Sequence, residues 1–284
     1  MTVKPPGKSG KTFASWLAVA SLLLILFYLP GCEDSQVLRL ASTTSTRDSG
    51  LLEVLLPAFE KANDCRVDLV ATGTGAALKL GESGDVDVLV VHARSAEETF
   101  MEAGHGTRHE PLMHNFFLIV GPKDDPADVV GTDPALALKR IAEKKARFLS
   151  RGDDSGTHLR ELALWQEAGG RPEWNGFAES GQGMGATLTM ADEKKAYVLV
   201  DGGTWLKRKD GLDLIPIVTE GENLKNPYAA IVVTSKDDAP TNAKLANRFV
   251  DFLISSEAQK LIADYRVQGQ PLFHPDRLEQ EPSE

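Results

Sequence analysis

After residue 36 the chain alternates short apolar runs with polar loops and stretches of helical apolar spacing. The first unit is a predicted strand at 37–41, a polar loop at 42–50 and a helix at 51–61. Continuous or alternating apolar runs are typical of strands, whereas apolar residues three or four positions apart are typical of helices. The same criteria predict strands at 66–71, 86–91, 116–120, 147–150, 197–200, 214–218 and 228–234, and helices at 76–80, 135–145, 158–168, 186–195 and 244–265.

This repetition of strand, loop and helix predicts an α/β fold. The run at 86–91 is apolar or β-branched almost throughout, which is typical of a strand buried on both faces of a parallel sheet. Two segments indicate crossings between lobes, so we predict a discontinuous lobe of residues 37–117 and 227–284 and a second lobe of residues 118–226. In such a topology ligands bind in the cleft at the carboxyl ends of the strands.

The N-terminal segment has the features of an export signal. Three lysines precede an apolar stretch at 13–29, and no acidic residue occurs before Glu33. Leu29-Pro30-Gly31-Cys32 resembles the cleavage box of bacterial lipoproteins, so we predict a signal peptide at 1–31, a lipid on Cys32 and a short tether at 32–36. Pro30 replaces the usual small residue, which leaves an uncleaved membrane anchor as the alternative. Cys65 is the only other cysteine and is expected to be a small core residue without a disulfide partner.

Composition and charge narrow the classes of function. The 284 residues are 42% hydrophobic with a formal charge of -10, as in an ordinary globular protein. Residues 1–31 contain three lysines and no acidic residue, so their removal changes the charge from -10 to -13. An acidic chain lacks the basic surface that nonspecific binding to nucleic acid or to anionic membranes requires. An anionic ligand therefore has to be held by local chemistry.

Two loops between strands and helices carry hydroxyl groups or glycines. The hydroxyls of 42–45, which include Thr44 and Ser45, stand at a helix start, where unpaired N–H groups suit an anion. Simple helix capping is the alternative, although it needs only one hydroxyl. Thr74 and Gly75 follow the next strand, where the backbone is open to a ligand. This loop lacks the third glycine of a dinucleotide fingerprint and the Gly-Lys-Ser/Thr sequence that ends a P-loop. No nucleotide cofactor is therefore predicted.

The loop at 151–158 combines an arginine, two glycines and two hydroxyls at a strand-to-helix junction. Arg151 carries a permanent charge and a planar set of donors, which suits an oxyanion. The alternative is a surface ion pair of Arg151 with one of the two following aspartates. Ser155 and His158 could form a nucleophile and its base, but the Gly-x-Ser-x-Gly motif is missing. The two aspartates and His158 could form a metal site, but there is no histidine pair at helical spacing. We assign Asp153 and Asp154 to capping of the following helix.

From about Leu38 to Pro275 the sequence closely resembles the tungstate-binding proteins of bacterial ABC importers, a branch of the type II periplasmic binding-protein superfamily. The blocks that carry the resemblance are Ser42-Thr43-Thr44-Ser45-Thr46, Gly73-Thr74-Gly75, Leu78-Lys79-Leu80-Gly81, Gly84-Asp85-Val86-Asp87, Val120-Gly121-Pro122, Arg151-Gly152-Asp153-Asp154-Ser155-Gly156-Thr157-His158 and Gly181-Gln182-Gly183-Met184-Gly185-Ala186-Thr187-Leu188. The resemblance implies a two-lobed fold with two crossover segments that closes on an oxyanion. It also implies binding roles for Thr44, Ser45, Thr74, Gly75, Arg151, Ser155 and Thr157. Relatives often have arginine where this chain has Gly202.

The expected function is capture of tungstate by an exported, lipid-anchored protein that delivers it to a permease and ATPase in the membrane. No catalytic residue, cofactor or bound metal ion is predicted, because tungsten would enter only as the oxyanion. The expected pocket is small, donates hydrogen bonds and accepts none, which disfavours hydrogen phosphate. Molybdate, sulfate and phosphate remain alternative ligands. A secreted hydrolase using Ser155 or a carboxylate pair, and a periplasmic sensor of anions, remain alternative functions.

Overall fold

A computed structural model describes residues 1–3, 36–237 and 239–278. The strands are β1 Gln36–Thr43, β2 Cys65–Thr72, β3 Val88–Val91, β4 Gly106–Gly121, β5 Phe148–Ser150, β6 Phe177–Glu179, β7 Val198–Asp201, β8 Ile215–Val218, β9 Lys225–Val233, β10 Arg266–Val267, β11 Gln270–Pro271 and β12 His274–Pro275. The helices are α1 Thr44–Ser49, α2 Leu52–Asn63, α3 Thr74–Ser83, α4 Arg94–Glu102, α5 Pro134–Glu143, α6 Gly156–Glu167, α7 Met184–Lys194, α8 Gly202–Arg208, α9 Ala243–Leu253 and α10 Ser256–Asp264. The described residues from Val37 onward form one compact unit. Residues 4–31 of the predicted signal peptide, most of the predicted tether and Cys32 lie outside the described residues.

The main sheet is mixed, with strand order β12-β4-β9-β3-β1-β2. β1 runs parallel to β3, whereas β3 and β4 both run antiparallel to β9. All four residues of β3 are buried, as the apolar run predicts. The expectation that this strand belongs to a wholly parallel sheet is wrong, because its partner on one side is antiparallel.

The long strand β4 has two sets of partners. It pairs with β9 from Gly106 to Phe116 and with β7 from Phe117 to Val120, where β8 pairs as well. β4 therefore passes from one part of the sheet to the other without interruption. We take this change of partners as the crossing between lobes, and the lobe bounds of 37–117 with 227–284 and of 118–226 stay a prediction.

Aromatic and aliphatic side chains form the hydrophobic cores that support the loops. One core contains Phe59, whose ring packs edge-on against Phe249 with centroids 4.9 Å apart. Another contains Phe148 and Trp165, with centroids 5.5 Å apart. Burial of each such side chain contributes roughly 1.5–3 kcal/mol. The cores therefore hold the strand ends, and the loops that follow them, in fixed positions.

Several elements differ from their predicted form. The amphipathic region at 244–265 is two helices, because α9 ends at Leu253 and Ser255 caps the start of α10. α4 and α8 are helices that the pattern does not predict, and α1 is a helix within the predicted polar loop at 42–50. Cys65 is partly buried, and burial raises the pKa of its thiol. None of the helices within the described ranges is long and apolar enough to cross a membrane.

Candidate functional site

A cavity of about 690 Å³ lies where the loops between strands and helices meet. Its volume is typical of small-molecule sites. The seven predicted binding residues all line it: Thr44, Ser45, Thr74, Gly75, Arg151, Ser155 and Thr157. First-turn residues of α1, α3, α6, α7 and α8 contribute to the lining. Because first-turn N–H groups lack intrahelical partners and a helix N-terminus favours negative charge, the cavity is suited to an anion.

The hydroxyl residues at the start of α1 divide into two groups. Thr43 is buried and caps the helix by accepting a hydrogen bond of 3.1 Å from the N–H of Thr46. Ser42 is also buried and donates its O–H to a backbone carbonyl at 2.7 Å. Thr44 and Ser45 are exposed in the cavity. Capping therefore explains Thr43, whereas the hydroxyls of Thr44 and Ser45 are accessible to a ligand.

The glycines around Thr74 leave the start of α3 open. A Cβ atom built on Gly73 or on Gly75 would meet no heavy atom within 4 Å. Gly73 is the N-cap residue and offers no side chain to the first N–H groups of the helix. The absence of side chains here therefore leaves the backbone of the first turn accessible from the cavity.

The loop after β5 places Arg151 and Asp153 in the cavity and pairs them with each other. Arg151 Nη2 donates to Asp153 Oδ2, and the two side chains are 15% and 22% exposed. Asp153 Oδ1 accepts a hydrogen bond of 3.2 Å from the N–H of Ser155. Burial acts to raise the pKa of Asp153, but hydrogen bonds from Ser155 and the charge of Arg151 outweigh it and lower the pKa. Arg151 is therefore both a cavity residue and the partner of an ionised carboxylate.

The start of α6 is capped by Ser155. Its Oγ accepts from the N–H of His158 at 3.4 Å, while the His158 ring accepts through Nδ1 from the N–H of Asp154 at 3.0 Å. The prediction that Asp153 and Asp154 cap this helix is therefore wrong. Asp153 instead accepts from the Arg151 guanidinium with one carboxylate oxygen and from the N–H of Ser155 with the other. It therefore holds Arg151 in a fixed position relative to the loop.

His92 is a cavity residue that the sequence pattern does not single out. It follows β3, and its Nε2 lies 3.1 Å from Thr43 Oγ1 and 3.2 Å from Ser45 Oγ. Its Nδ1 lies 3.0 Å from Asn226 Oδ1, and its ring stacks on Tyr228 with centroids 4.6 Å apart. Ser45, Thr43 and Asn226 are 47, 49 and 134 positions away from His92 in sequence, and Tyr228 is farther still. No local motif could have revealed the cluster.

Comparison with known proteins identifies the family. A family model described as "PBP superfamily domain" matches residues 33–257. The chain belongs to the PBP superfamily. The tungstate-binding protein TupA of Peptoclostridium acidaminophilum is 42% identical over 281 residues, which cover 91% of this chain and 96% of that protein. Within the PBP superfamily, the chain therefore belongs to the family that includes this TupA.

Solved PBP structures agree with the fold. The tungstate-binding protein TupA from Desulfovibrio alaskensis is 41% identical, with a TM-score of 0.80 over 86% of this chain and all of that one. The tungstate ABC transporter structure from Geobacter sulfurreducens is 48% identical, with a TM-score of 0.72 over 81% of this chain and 98% of that one. These similarities confirm the predicted fold class, the two-lobed α/β fold of type II periplasmic binding proteins.

The expectation that only donors line the cavity of this PBP domain is wrong for the cavity as a whole. Asp48, Asp153, Asp154 and Asp201 are lining residues. Asp201 caps α8, accepting from the N–H and O–H of Thr204 at 2.8 and 2.7 Å. The side chains of Asp48 and Asp154 are 63% and 94% exposed. Three of the carboxylates are thus bonded to other groups of the protein, because Asp48 Oδ1 accepts from the guanidinium of Arg47 at 2.7 Å. The fourth, Asp154, extends into solvent.

Helix α8 contributes two further positively charged side chains to the cavity of the PBP domain. Gly202 is its first residue, while Lys207 and Arg208 in its last turn line the cavity. Lys207 Nζ donates to the carbonyl of Asp48 in α1. The Arg208 guanidinium lies against Gly185, where a Cβ atom would come within 2.7 Å of its Nε and Nη2. Positive charge therefore enters the cavity from α8 even though glycine occupies position 202.

The buried carboxyl group of Glu161, a residue of α6, makes the stability of the PBP domain depend on pH. It is 2% exposed, and Trp165 Nε1 donates to its Oε1 at 3.2 Å. Burial, only partly offset by hydrogen bonds such as that from Trp165, raises its pKa to about 7. The folded state thus binds the proton more tightly than the unfolded chain, where the pKa is about 4.3. The stability that this tighter proton binding adds is fully present below the unfolded pKa. It is lost as the pH rises through about 7, the folded pKa of Glu161.

We expect Glu161→Gln, which keeps an acceptor for Trp165, to exceed the wild type in unfolding free energy by roughly 3 kcal/mol at pH 8. The difference should shrink toward zero as the pH falls below about 4, because the wild-type side chain then becomes neutral in the unfolded state as well as in the folded state. Urea unfolding at several pH values measures this. Glu173→Gln, on an exposed residue, is the control. A difference that stays constant with pH would contradict the prediction.

Proposed function

We propose that this protein binds the tungstate oxyanion in the cavity and delivers it to the membrane permease of an ABC transporter. The observation that carries the proposal is the convergence of five helix N-termini and Arg151 on one cavity. Helix N-termini and a guanidinium both stabilise negative charge. The family supports the choice of ligand, because the relatives named above are tungstate-binding proteins.

Each predicted residue has a role that its position supports. Arg151 supplies the permanent charge, and its Nε is buried without a hydrogen-bond partner among residues 36–237 and 239–278. An unsatisfied buried donor costs about 1–3 kcal/mol, which a ligand oxygen would offset. Thr44, Ser45, Thr74, Ser155 and Thr157 would donate hydroxyl hydrogens, and Gly75 would donate its N–H.

A cavity of about 690 Å³ exceeds the size of one tetrahedral oxyanion. Binding therefore includes a closure that brings the loops of the two lobes onto the ligand and excludes water. The closed form would be the one that docks on the permease. Because the acidic chain repels a dianion at long range, the preorganised donors must supply the affinity at short range.

Charge state provides part of the selectivity. Tungstate is a fully deprotonated dianion at neutral pH, whereas hydrogen phosphate carries a proton that needs an acceptor. The lining carboxylates Asp153 and Asp201 already accept hydrogen bonds from the protein, whereas the exposed carboxylate of Asp154 can still accept. Phosphate is therefore disfavoured only if the closed site holds the anion away from Asp154. Molybdate and sulfate carry no proton, and only cavity size and closure separate them from tungstate.

Isothermal titration calorimetry with tungstate, molybdate, sulfate and phosphate in parallel tests the proposal. The compact unit that begins at Val37 is the sample. We expect tungstate to bind most tightly, molybdate next, sulfate more weakly and phosphate most weakly. Tighter binding of molybdate would make the protein a molybdate carrier. Tight binding of phosphate, or no binding of any of the four, would contradict the assignment.

We further propose that residues 1–31 are a signal peptide and that a lipid on Cys32 holds the mature protein at the outer face of the cell membrane. Residues 4–31 and Cys32 lie outside the described residues, and the sequence of the cleavage box supports both proposals. The permease and ATPase of the transporter are the proposed partners. The anchor keeps the carrier close to them, because it restricts diffusion to the membrane surface.

A carrier rather than a hydrolase is the function that the geometry of Ser155 favours. Its Oγ caps α6, and the ring of His158 accepts from the N–H of Asp154. A nucleophilic serine needs a base within hydrogen-bond reach of its hydroxyl. Within residues 36–237 and 239–278 no ring nitrogen is hydrogen-bonded to Ser155 Oγ.

A further inference from the structure

His92 lies between the hydroxyls of α1 and a chain of amide side chains. Its Nε2 faces Thr43 and Ser45, and its Nδ1 faces Asn226. We propose that His92 is a positioning residue: with its proton on Nδ1, it accepts the Thr43 proton at Nε2 and leaves the Ser45 O–H to donate to the bound oxyanion. This inference rests on the proposed function, since it assigns a direction to the hydrogen bonds of that site.

The amide chain fixes the tautomer. Asn226 Nδ2 donates to Asn115 Oδ1 at 2.7 Å and to the Tyr228 hydroxyl at 3.3 Å. An amide nitrogen only donates and an amide oxygen only accepts. Asn226 Oδ1 therefore faces His92 as an acceptor, and the His92 Nδ1 at 3.0 Å must carry a hydrogen. Stacking on Tyr228 holds the ring in the plane that this bond requires.

The second ring nitrogen then acts as an acceptor. Burial lowers the pKa of His92, against the effects of Asn226 and of the nearby carboxylates Glu97 and Asp201. The ring is therefore neutral at pH 7, and a neutral imidazole with a proton on Nδ1 has a lone pair on Nε2. One hydroxyl, that of Thr43 or that of Ser45, has to donate to it.

The proposal takes Thr43 as that donor, an arrangement that its contacts allow. Thr43 Oγ1 accepts from the N–H of Thr46 at 3.1 Å and lies 2.6 Å from the Thr46 hydroxyl, which can fill its second lone pair. Its own proton is then directed to His92 Nε2 at 3.1 Å. Ser45 Oγ lies 3.0 Å from Thr43 Oγ1 but finds no lone pair left there. The Ser45 proton is therefore available to a ligand in the cavity.

The ring also contacts the helix on the other side of the cavity. A Cβ atom built on Gly156, the first residue of α6, would lie 3.2 Å from His92 Cε1. This is tighter than most real contacts, so a larger residue at position 156 would require the ring to shift by a few tenths of an ångström. His92 thus packs between the hydroxyls of α1 and the loop that contains Arg151.

Asn226→Asp tests the proposal, because it keeps an oxygen for Nδ1 and adds a negative charge. An adjacent opposite charge raises a histidine pKa by about 1–3 units, which brings that of His92 toward neutrality. Protonation of Nε2 removes the competition for hydroxyl protons and adds a positive charge beside the anion. Calorimetry on the full chain in detergent should show tungstate affinity of Asn226→Asp rising roughly tenfold from pH 9 to pH 7. The wild type should change less than about twofold, and Asn226→Asp combined with His92→Gln should lose the dependence.

A second measurement is independent of tungstate. Histidine-selective ¹⁵N NMR of the anion-free unit that begins at Val37 reports which ring nitrogen of His92 carries the proton. His92→Gln assigns the resonance, and His105→Gln, outside the cavity, is the control. We expect a proton on Nδ1 and a lone pair on Nε2 at pH 7.5. A proton on Nε2, or tungstate affinity of Asn226→Asp that is flat with pH or falls as the pH falls, would overturn the proposal. A wild type that binds no tungstate but has the expected tautomer would refute the proposed function alone.

Discussion

Asp87→Ala is expected to lower the free energy of unfolding by about 2–4 kcal/mol, because two partly buried backbone N–H groups would lose their acceptor. Asp87 is 1% exposed and directly precedes β3. Its carboxylate accepts from the N–H of Arg39 at 2.7 Å, from the Arg39 guanidinium at 2.6 Å and from the N–H of Asn242 at 2.7 Å. It therefore joins β1, β3 and the start of α9. Alanine would leave two backbone N–H groups without an acceptor.

Urea unfolding of the unit that begins at Val37 measures this cost, with Asp85→Ala as the matched control. Asp85 is exposed and lies two residues earlier, so its removal should change the unfolding free energy by less than about 0.5 kcal/mol. Arg39→Met should cost less than Asp87→Ala, because Asp87 would keep both backbone donors. Equal costs for Asp87→Ala and Asp85→Ala would show that the three-element junction does not stabilise the fold.

Asp87 illustrates how a shared motif can be structural. It belongs to the Gly84-Asp85-Val86-Asp87 block that carries part of the family resemblance, yet it is not among the residues that line the cavity. Its partners are a residue 48 positions earlier and another 155 positions later. The sequence alone identifies the block but cannot distinguish a packing role from a binding role, because that depends on these distant partners.

The sequence predicted most of the strand-loop-helix units, because each is specified by a local apolar pattern. It failed where distant parts of the chain decide the structure. β4 begins at Gly106, ten residues before the predicted start at 116, because its first half contains Arg108, His109 and Glu110 and is held by pairing with β9. α8 begins with two glycines, which disfavour a helix, and depends on the capping bonds of Asp201.

The site was predictable to the extent that its chemistry lies on loops. Hydroxyls, glycines and Arg151 at strand-to-helix junctions have a local signature, and all seven predicted residues line one cavity. His92 and Asn226 have no such signature, because a histidine after an apolar strand and an asparagine before a proline are common in many settings. Only the fold brings them within 3.0 Å of each other.

Arg151→Ala is expected to weaken tungstate binding by roughly 100-fold or more, since hydrogen bonds to charged groups contribute about 1.5–3 kcal/mol each. The variant also leaves the carboxylate of Asp153 without its cation in the cavity, where it would repel a dianion. Ser45→Ala should weaken binding less, by roughly tenfold, because it removes one uncharged donor to the oxyanion and no formal positive charge. Calorimetry with tungstate compares the two. Equal losses would remove the basis for giving Arg151 the main role.

The Arg151–Asp153 pair allows the two effects of that variant to be separated. Asp153→Asn keeps an oxygen for the N–H of Ser155 but removes the negative charge. If the unpaired carboxylate causes part of the loss, Arg151→Ala with Asp153→Asn should bind tungstate roughly tenfold more tightly than Arg151→Ala alone. Asp153→Asn by itself should change affinity little, because lost orientation of Arg151 opposes lost repulsion. If neither residue contacts the anion and the two form only a surface ion pair, all three variants should bind tungstate as the wild type does.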